Sequence, residues 1–178
     1  SSEVGFSFGS KFEQYDNLFF NPSFKTVAEK LETNSLASSS IKKQEGNYFT
    51  STIGYSFDYD TRNQKFQTTD GFRSNFFQTL PVVSDSNTIT SGYIYDQYLT
   101  FSETTASLGL YLKNAVGLSD DVRISERIGL PRKRLRGFKP GRIGPVDHGD
   151  DHVGGNYAAA LSLTTNLPMI APNLQNFE

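Results

Sequence analysis

The chain has 178 residues, a net charge of -2 and a mean hydropathy of -0.46, values that suit one domain. No segment approaches the ~20 apolar residues of a membrane-spanning helix, and the near-neutral charge argues against nucleic acid as a partner. Membrane-crossing strands are not excluded, because each needs only about 9–11 residues and turns one face to lipid. Cysteine is absent, so the chain has no disulfide and no thiolate metal ligand.

Alternation of apolar and polar side chains predicts strands along the chain. Weaker alternation over residues 4–12 and 19–30 comes first, and the clearest run follows at residues 52–60. Side chains on one face of a strand recur at every second position, so residues 52–60 have one apolar wall. That wall consists of Ile53, Tyr55, Phe57 and Tyr59.

The second half of the chain continues the same alternation. Strands are predicted over residues 72–80 and 93–101, the latter interrupted by Gln97, and a final one over residues 160–167. Between the last two lies a leucine wall formed by Ala106, Leu108, Leu110 and Leu112. Polar, turn-rich connections separate the strands at residues 34–46, 60–71, 81–90 and 117–129.

The pattern gives about seven strands of about ten residues, whereas strands of globular proteins average ~5–6 residues. With aromatic residues at 13%, this favours an all-β, antiparallel transmembrane β-barrel. A soluble β-sandwich also buries one face and wets the other, so alternation alone fits both. The residues expected to face lipid are Ile53, Tyr55, Phe57, Tyr59, Leu108, Leu110 and Leu112.

A long loop over residues 118–155 combines a basic run with a Gly- and Asp-rich segment. It contains the triplet Arg136-Gly137-Phe138 and ends at Gly154-Gly155-Asn156, where the last strand begins. The basic residues are Arg132, Lys133, Arg134, Arg136, Lys139 and Arg142. Such a run fits a solvated loop, contact with acidic lipid headgroups, or insertion into a lumen lined with carboxylates.

Residues of metal-ligand type cluster in the same loop. The segment of residues 147–152 reads Asp-His-Gly-Asp-Asp-His, with both histidines of the chain, His148 and His152. Its spacing does not match an EF-hand and no helix places the histidines on one face, so a solvated acidic loop is favoured over a metal site. No nucleophile-and-base set, phosphate loop or nucleotide fingerprint is present, which predicts a protein without catalytic residues or cofactor.

A hairpin motif follows the clearest strand. Asp60, Thr61, Arg62 and Asn63 leave that strand, and Asp70-Gly71, a common turn pair, opens the next. Asp60 and Arg62 lie two residues apart and are expected to form a same-face ion pair, worth about 0.2–1 kcal/mol if exposed.

Taken together, these motifs resemble those of the BamA-like family of outer-membrane assembly barrels. The hairpin motif of residues 59–63 and 69–71, the Arg136-Gly137-Phe138 loop followed by Ile143-Gly144-Pro145, and Gly154-Gly155-Asn156 occur in the family's order and spacing. Each triplet alone is a weak signal, and the ordered set is a strong one.

The resemblance implies a partial barrel domain over residues 1–178. The family's barrel has sixteen antiparallel strands preceded by periplasmic POTRA repeats, and this chain would supply about seven strands toward its C-terminal half. We therefore expect an internal piece of a longer protein. The loop at about residues 118–155 would fold from outside into the lumen. There Arg136 would brace the barrel, Gly137 would allow a tight path and Phe138 would anchor in a pocket.

The chain departs from the family pattern at two positions. Thr164 stands roughly where many members carry a glutamate, so the resemblance does not name the carboxylate partner of Arg136. Thr68 replaces the usual proline of the hairpin motif, which loosens that turn without changing its role.

The family's function is the folding and insertion of β-barrel proteins into the bacterial outer membrane. The implied partners are unfolded outer-membrane proteins, outer-membrane lipids and accessory assembly lipoproteins, with no nucleic acid and no cofactor. Alternatives in the superfamily are a two-partner-type polypeptide secretion pore and a translocation-and-assembly barrel. From other classes, a passive porin and a soluble β-sandwich binding module remain open.

Overall fold

The computed structural model describes residues 2–33, 39–102, 104–139, 141–147 and 151–166, and these form one antiparallel sheet of eight strands. The strands are β1 Ser2–Gly9, β2 Phe12–Tyr15, β3 Leu18–Leu31, β4 Gly46–Asp60, β5 Gly71–Ser84, β6 Thr88–Phe101, β7 Thr104–Gly117 and β8 Tyr157–Asn166. Their order in the sheet is β1-β3-β4-β5-β6-β7-β8, and β2 also pairs with β3. The all-β, antiparallel prediction is therefore confirmed.

Helical structure is minor in these ranges. One helix, α1, spans Ser39–Lys42, and a 3₁₀ turn spans Ile124–Glu126. Neither they nor any other helix among the described residues has the length and apolarity needed to cross a membrane.

The central strands are longer than the sequence pattern predicts. β4 has 15 residues, and β3, β5, β6 and β7 have 14 each. The connection predicted over residues 81–90 is mostly strand, because β5 continues to Ser84 and β6 begins at Thr88. Val82 and Val83 explain the difference, since β-branched side chains favour strands even where they are exposed.

The first predicted strand is divided in two. β1 pairs with β3 from Ser23 to Lys30, β2 pairs with it from Leu18 to Phe20, and the break falls opposite Asn21 and Pro22. A proline has no N–H to donate to a sheet ladder, and here the Pro22 carbonyl accepts the Ser10 N–H, at 3.1 Å.

Strand register gives the sheet two different faces. On one, which we call the apolar face, Phe57 lies opposite both Phe20 and Phe76, and the Phe20 and Phe57 rings are 5.1 Å apart. The other, which we call the loop face, carries the next residue in each strand, for example Asp58 at 8% exposure and Tyr111 at 6%. The described part of the loop between β7 and β8 packs on this second face.

Burial is concentrated where the loop meets the sheet. Ala115 of β7 packs with Val122 and Ile128 of the loop, at 1%, 2% and 5% exposure respectively, and Ala158 of β8 packs against this cluster. The loop is thus held by apolar contact close to the point where it leaves β7.

Replacing Val122 with Ser should loosen the loop and lower the free energy of unfolding by about 1–3 kcal/mol, because a buried methyl pair is lost and a hydroxyl is buried. Urea unfolding and the rate of protease cleavage within the loop measure the change. Leu118→Ser is the matched control, since Leu118 is exposed. Equal effects of the two substitutions would contradict the packing described.

Candidate functional site: the charged loop face

Charged side chains of neighbouring strands lie side by side on the loop face. Asp60 of β4 is in register with Arg73 of β5, Arg73 with Asp96 of β6, and Asp96 with Gly109 of β7. Residues in register lie on the same face of a sheet. We call the charged side chains of this part of the loop face, with their ion-pair partners, the charge row. Its members are Asp58, Asp60, Arg62, Arg73, Asp96 and Arg134.

Within the charge row, carboxylates and guanidinium groups pair one to one. Arg73 donates from Nε and Nη2 to the two carboxylate oxygens of Asp58, at 2.8 and 3.0 Å. Arg62 donates from Nε and Nη2 to Asp60, at 2.8 Å each. Two-point pairing of this kind is the strong form of the charge-assisted hydrogen bond. Each of these ion pairs therefore has no net charge.

The third pair joins the loop to the sheet. Arg134 donates from Nη1 and Nη2 to the two oxygens of Asp96, at 2.6 and 3.0 Å. Gly109 makes room for it, since a Cβ there would lie 2.8 Å from Arg134 Nη1. The hydrogen bonds to Asp96 raise the pKa of the Arg134 guanidinium, so it stays cationic.

The triplet named from the sequence lies nearby and is exposed. Arg136 is exposed, and among the described residues no ion pair joins it to a carboxylate. Gly137 has φ +88° with open space around it, and Phe138 is 57% exposed. Within the basic run, Arg134, two residues earlier, pairs with a carboxylate of the sheet. A lumenal role for Arg136 stays a prediction.

A second group of contacts, which we call the clasp, holds the start of the loop near the other ends of the strands. Arg123 lies 3.1 Å from Glu126 and 3.8 Å from Glu29, with its guanidinium 4.1 Å from the centre of the Tyr48 ring. Glu126 in turn accepts a hydrogen bond from Thr88 at 2.7 Å. The clasp therefore connects the loop to β3, β4 and β6.

The motif Gly154-Gly155-Asn156 brings the loop back to its own beginning. Gly155 and Ile128 exchange backbone hydrogen bonds of 2.7 and 3.1 Å, and the Asn156 carbonyl accepts the Ala115 N–H at 2.8 Å. Gly154 has φ +69°, a region that glycine enters without steric cost. The motif turns the chain from the loop into β8.

The hairpin motif forms an ordered turn between β4 and β5. The Asn63 side chain donates to Thr69 Oγ1 at 2.7 Å and accepts the backbone N–H groups of Thr69 and Asp70 at 3.3 and 3.4 Å. Thr61 Oγ1 donates to the Phe72 carbonyl at 3.1 Å. The hydrogen bonds from Arg62 to Asp60 raise the pKa of Arg62, which keeps it charged at this end of the sheet.

The acidic segment of the loop shows no sign of a metal centre in its described part. Val146 and His152 form an isolated backbone bridge, and the Asp147 N–H donates to the Asp151 carbonyl at 2.9 Å. His148 and Asp150 lie outside the described residues. Across the described ranges, no three His, Cys, Asp or Glu residues come together in a way that could hold a metal ion.

The residues expected to face lipid all lie on the apolar face. Leu108, Leu110 and Leu112 alternate with the loop-face residues Gly109 and Tyr111 along β7. On β4, the set Ile53, Tyr55, Phe57 and Tyr59 likewise alternates with the buried Gly54 and Asp58. Contact with lipid remains a prediction, which the exposed apolar side chains of this face favour.

Comparison with known proteins gives a match to a protein family. The model of the Omp85 superfamily domain covers residues 1–177 of the chain. No curated protein matches it.

Replacing Arg134 with Ala should lower the free energy of unfolding by about 1–3 kcal/mol, because Asp96 is left partly buried without its partner. Asp96→Asn should lower the free energy of unfolding by less in the Arg134→Ala protein than in the wild-type protein. A double-mutant cycle, with urea unfolding as the readout, measures this coupling. Arg136→Ala is the matched control and should change stability little. A larger effect from Arg136 than from Arg134 would contradict the pairing.

Replacing Gly71 with Ala should destabilise the protein by about 1–3 kcal/mol through backbone strain. Gly71 has φ +91°, and a Cβ there would lie 2.3 Å from the Thr61 carbonyl oxygen. Thermal unfolding followed by circular dichroism gives the readout. Gly129→Ala serves as control, because a Cβ at Gly129 meets nothing within 4 Å; equal melting temperatures for the two variants would refute the strain.

Proposed function

Since the chain belongs to the Omp85 superfamily, we propose that it is part of a barrel that folds and inserts β-barrel proteins into the bacterial outer membrane. Superfamily members are outer-membrane barrels of bacteria and organelles that act in protein assembly or secretion. Under this proposal the chain supplies strands toward the C-terminal half of a BamA-like barrel of sixteen strands, with POTRA repeats elsewhere in the protein. The loop at about residues 118–155 then lies within the lumen.

The observation that carries the proposal is the fixed position of the loop on the loop face of the sheet. The Arg134–Asp96 pair and the clasp tie it to β3, β4 and β6, and the Ile128–Gly155 bridge closes its base. A passive porin relies on a water-filled lumen for diffusion. A loop anchored at several points on the loop face favours a barrel that assembles or transports polypeptides over one that conducts small solutes.

The apolar face argues against a soluble sandwich. In a sandwich, a second sheet would cover Phe57, Phe76 and Leu112, whereas the described residues form a single sheet with these side chains exposed. Lipid covers such a face without a second layer of protein.

The chemistry of insertion requires no covalent step. An incoming strand carries unpaired N–H and C=O groups, each of which costs several kcal/mol in hydrocarbon. A barrel that offers a strand edge can pair those groups by β-augmentation before the substrate enters the bilayer. The substrates in this proposal are unfolded outer-membrane proteins, and the further partners are outer-membrane lipids and accessory assembly lipoproteins.

Reconstitution separates assembly from the alternatives. The full-length protein in liposomes should accelerate the folding of a urea-denatured outer-membrane barrel severalfold over liposomes with a passive porin, because strand pairing lowers the insertion barrier. Folding is read from heat-resistant mobility on a gel.

The other outcomes identify the other functions. Export of a secreted passenger without accelerated folding would replace the proposal with a two-partner-type secretion pore or a translocation-and-assembly barrel. Ion conductance without accelerated folding and without export would identify a passive porin. An Asp96→Asn, Arg134→Ala protein tests whether the anchored loop contributes to the acceleration.

A further inference from the structure

The loop-face side of β6 contacts both the loop between β7 and β8 and the turn between β4 and β5. Three successive residues of that face lie along the strand: Asp96, Tyr98 and Thr100. Asp96 accepts the hydrogen bonds that Arg134 donates from the loop. Thr100 Oγ1 donates to the Thr69 carbonyl of the turn at 2.7 Å. One strand therefore holds a residue of each segment.

Tyr98 lies between these two contacts. Strand register places it opposite Gly71, the first residue of β5 after the turn, and opposite Ser107 of β7. Both neighbours are small, so they leave space beside the tyrosine ring on this face. The ring is therefore free to reach toward the turn on one side and toward the loop on the other.

The Tyr98 hydroxyl acts on a guanidinium group of each segment. The pKa of Arg62 in the turn is raised first by its hydrogen bonds to Asp60 and further by Tyr98. The pKa of Arg134 in the loop is raised first by its hydrogen bonds to Asp96, and Tyr98 contributes there as well. Both arginine side chains are mostly buried, with exposures of 14% and 17%. Interactions between such groups are stronger than those at an open surface.

The loop and the turn belong to opposite ends of the sheet. The loop leaves β7 at Gly117, which lies opposite Thr88, the first residue of β6. The turn leaves β4 at Asp60, beside the other end of β6. Asp96 is eight residues from Thr88, about 26 Å at the rise of a β-strand. The loop therefore reaches along most of β6 to the part of the strand that holds the turn.

We propose that Tyr98 couples the turn of residues 61–70 to the loop at about residues 118–155, so that a displacement of the turn changes the position of the loop. Tyr98 is a positioning residue in this arrangement, since it acts through Arg62 and Arg134. β6 is a firm support for the coupling, because it pairs with β5 and β7 without a shift of register. The inference rests on the proposed function in one respect: there the two ends of the sheet open on opposite sides of the outer membrane, so the coupling crosses the bilayer.

A coupling between two sites is reciprocal. A change that loosens the turn should loosen the loop, and a change that loosens the loop should loosen the turn by a similar factor. Global destabilisation gives a different pattern, because it also raises hydrogen exchange in strands that touch neither segment, such as β1, which pairs with β3.

Amide hydrogen exchange, measured by mass spectrometry on the full-length protein in lipid nanodiscs, tests the coupling. Thr100→Val removes the hydroxyl that holds the turn and keeps the shape of the side chain. We expect it to raise the exchange rate of the loop amides at residues 131–139 about fivefold, the lower end of the couplings measured between sites. Arg134→Ala should raise exchange over residues 61–70 of the turn by a similar factor.

A second variant tests the role of Tyr98 itself. Tyr98→Phe removes the hydroxyl and keeps the ring, so it should raise exchange in both segments, and Thr100→Val should then add little to it. Tyr55→Phe is the matched control, because it removes a hydroxyl that donates to Gln78 on the apolar face. It should change exchange in neither segment. Heat-dependent gel mobility checks that each variant is folded.

Four outcomes would overturn the proposal. They are unchanged loop exchange in Thr100→Val, fully additive effects of Thr100→Val and Tyr98→Phe, an equal effect of Tyr55→Phe, and an equal rise of exchange over β1. The last of these would show global destabilisation in place of coupling.

Hydrogen exchange does not depend on assembly activity. Reciprocal exchange in a protein that does not accelerate folding would reject the proposed function and keep the coupling. Accelerated folding in a protein without reciprocal exchange would reject the coupling and keep the proposed function.

Discussion

Strand register is the constraint on which the other features of this molecule depend. Side chains alternate between faces at every residue, so a slip of one position would move Asp58 into the apolar face and Phe57 onto the loop face. The register holds without a shift from β5 to β8, and the only irregularity in the pairing of β4 with β5 falls between Ser51 and Thr52, above the charge row. The charged and aromatic surfaces are therefore consequences of one backbone arrangement.

The charge row places charged side chains on the loop face without net charge. Three carboxylates and three guanidinium groups pair one to one, two pairs within the sheet and its hairpin and one with the loop. Partly buried ion pairs contribute little net stability, because desolvation offsets their attraction, but an unpaired member is costly. Their contribution here is to specify position: Arg134 pairs with Asp96 beside Gly109, where a Cβ would obstruct the guanidinium.

Much of the sheet could be predicted from the sequence, because alternation over residues 52–60 and 106–112 is a local property. The Asp60–Arg62 pair could also be predicted, because the two residues lie two positions apart, but the partners in the other two pairs of the charge row could not. Arg73 and Asp58 are 15 positions apart, and Arg134 and Asp96 are 38 apart, so only register brings them together. Within the basic run, Arg134 and Arg136 are equivalent by local pattern, and the room at Gly109 that admits Arg134 is a tertiary feature. The break between β1 and β2 depends on Pro22, which belongs to β3. A pattern read within residues 4–12 does not include that proline.

The base of the loop and the residues inside the loop are subject to different structural constraints in this chain. Ile128 and Gly155 bind each other, and Ala115 and Asn156 join the same base to the sheet, so β7 and β8 are aligned without help from the residues between. Insertions and deletions inside that ring change the entropy of a closed loop only logarithmically with its length. The length of the loop can therefore change without moving the register of β7 and β8, whereas Asp96 still requires a guanidinium as its partner.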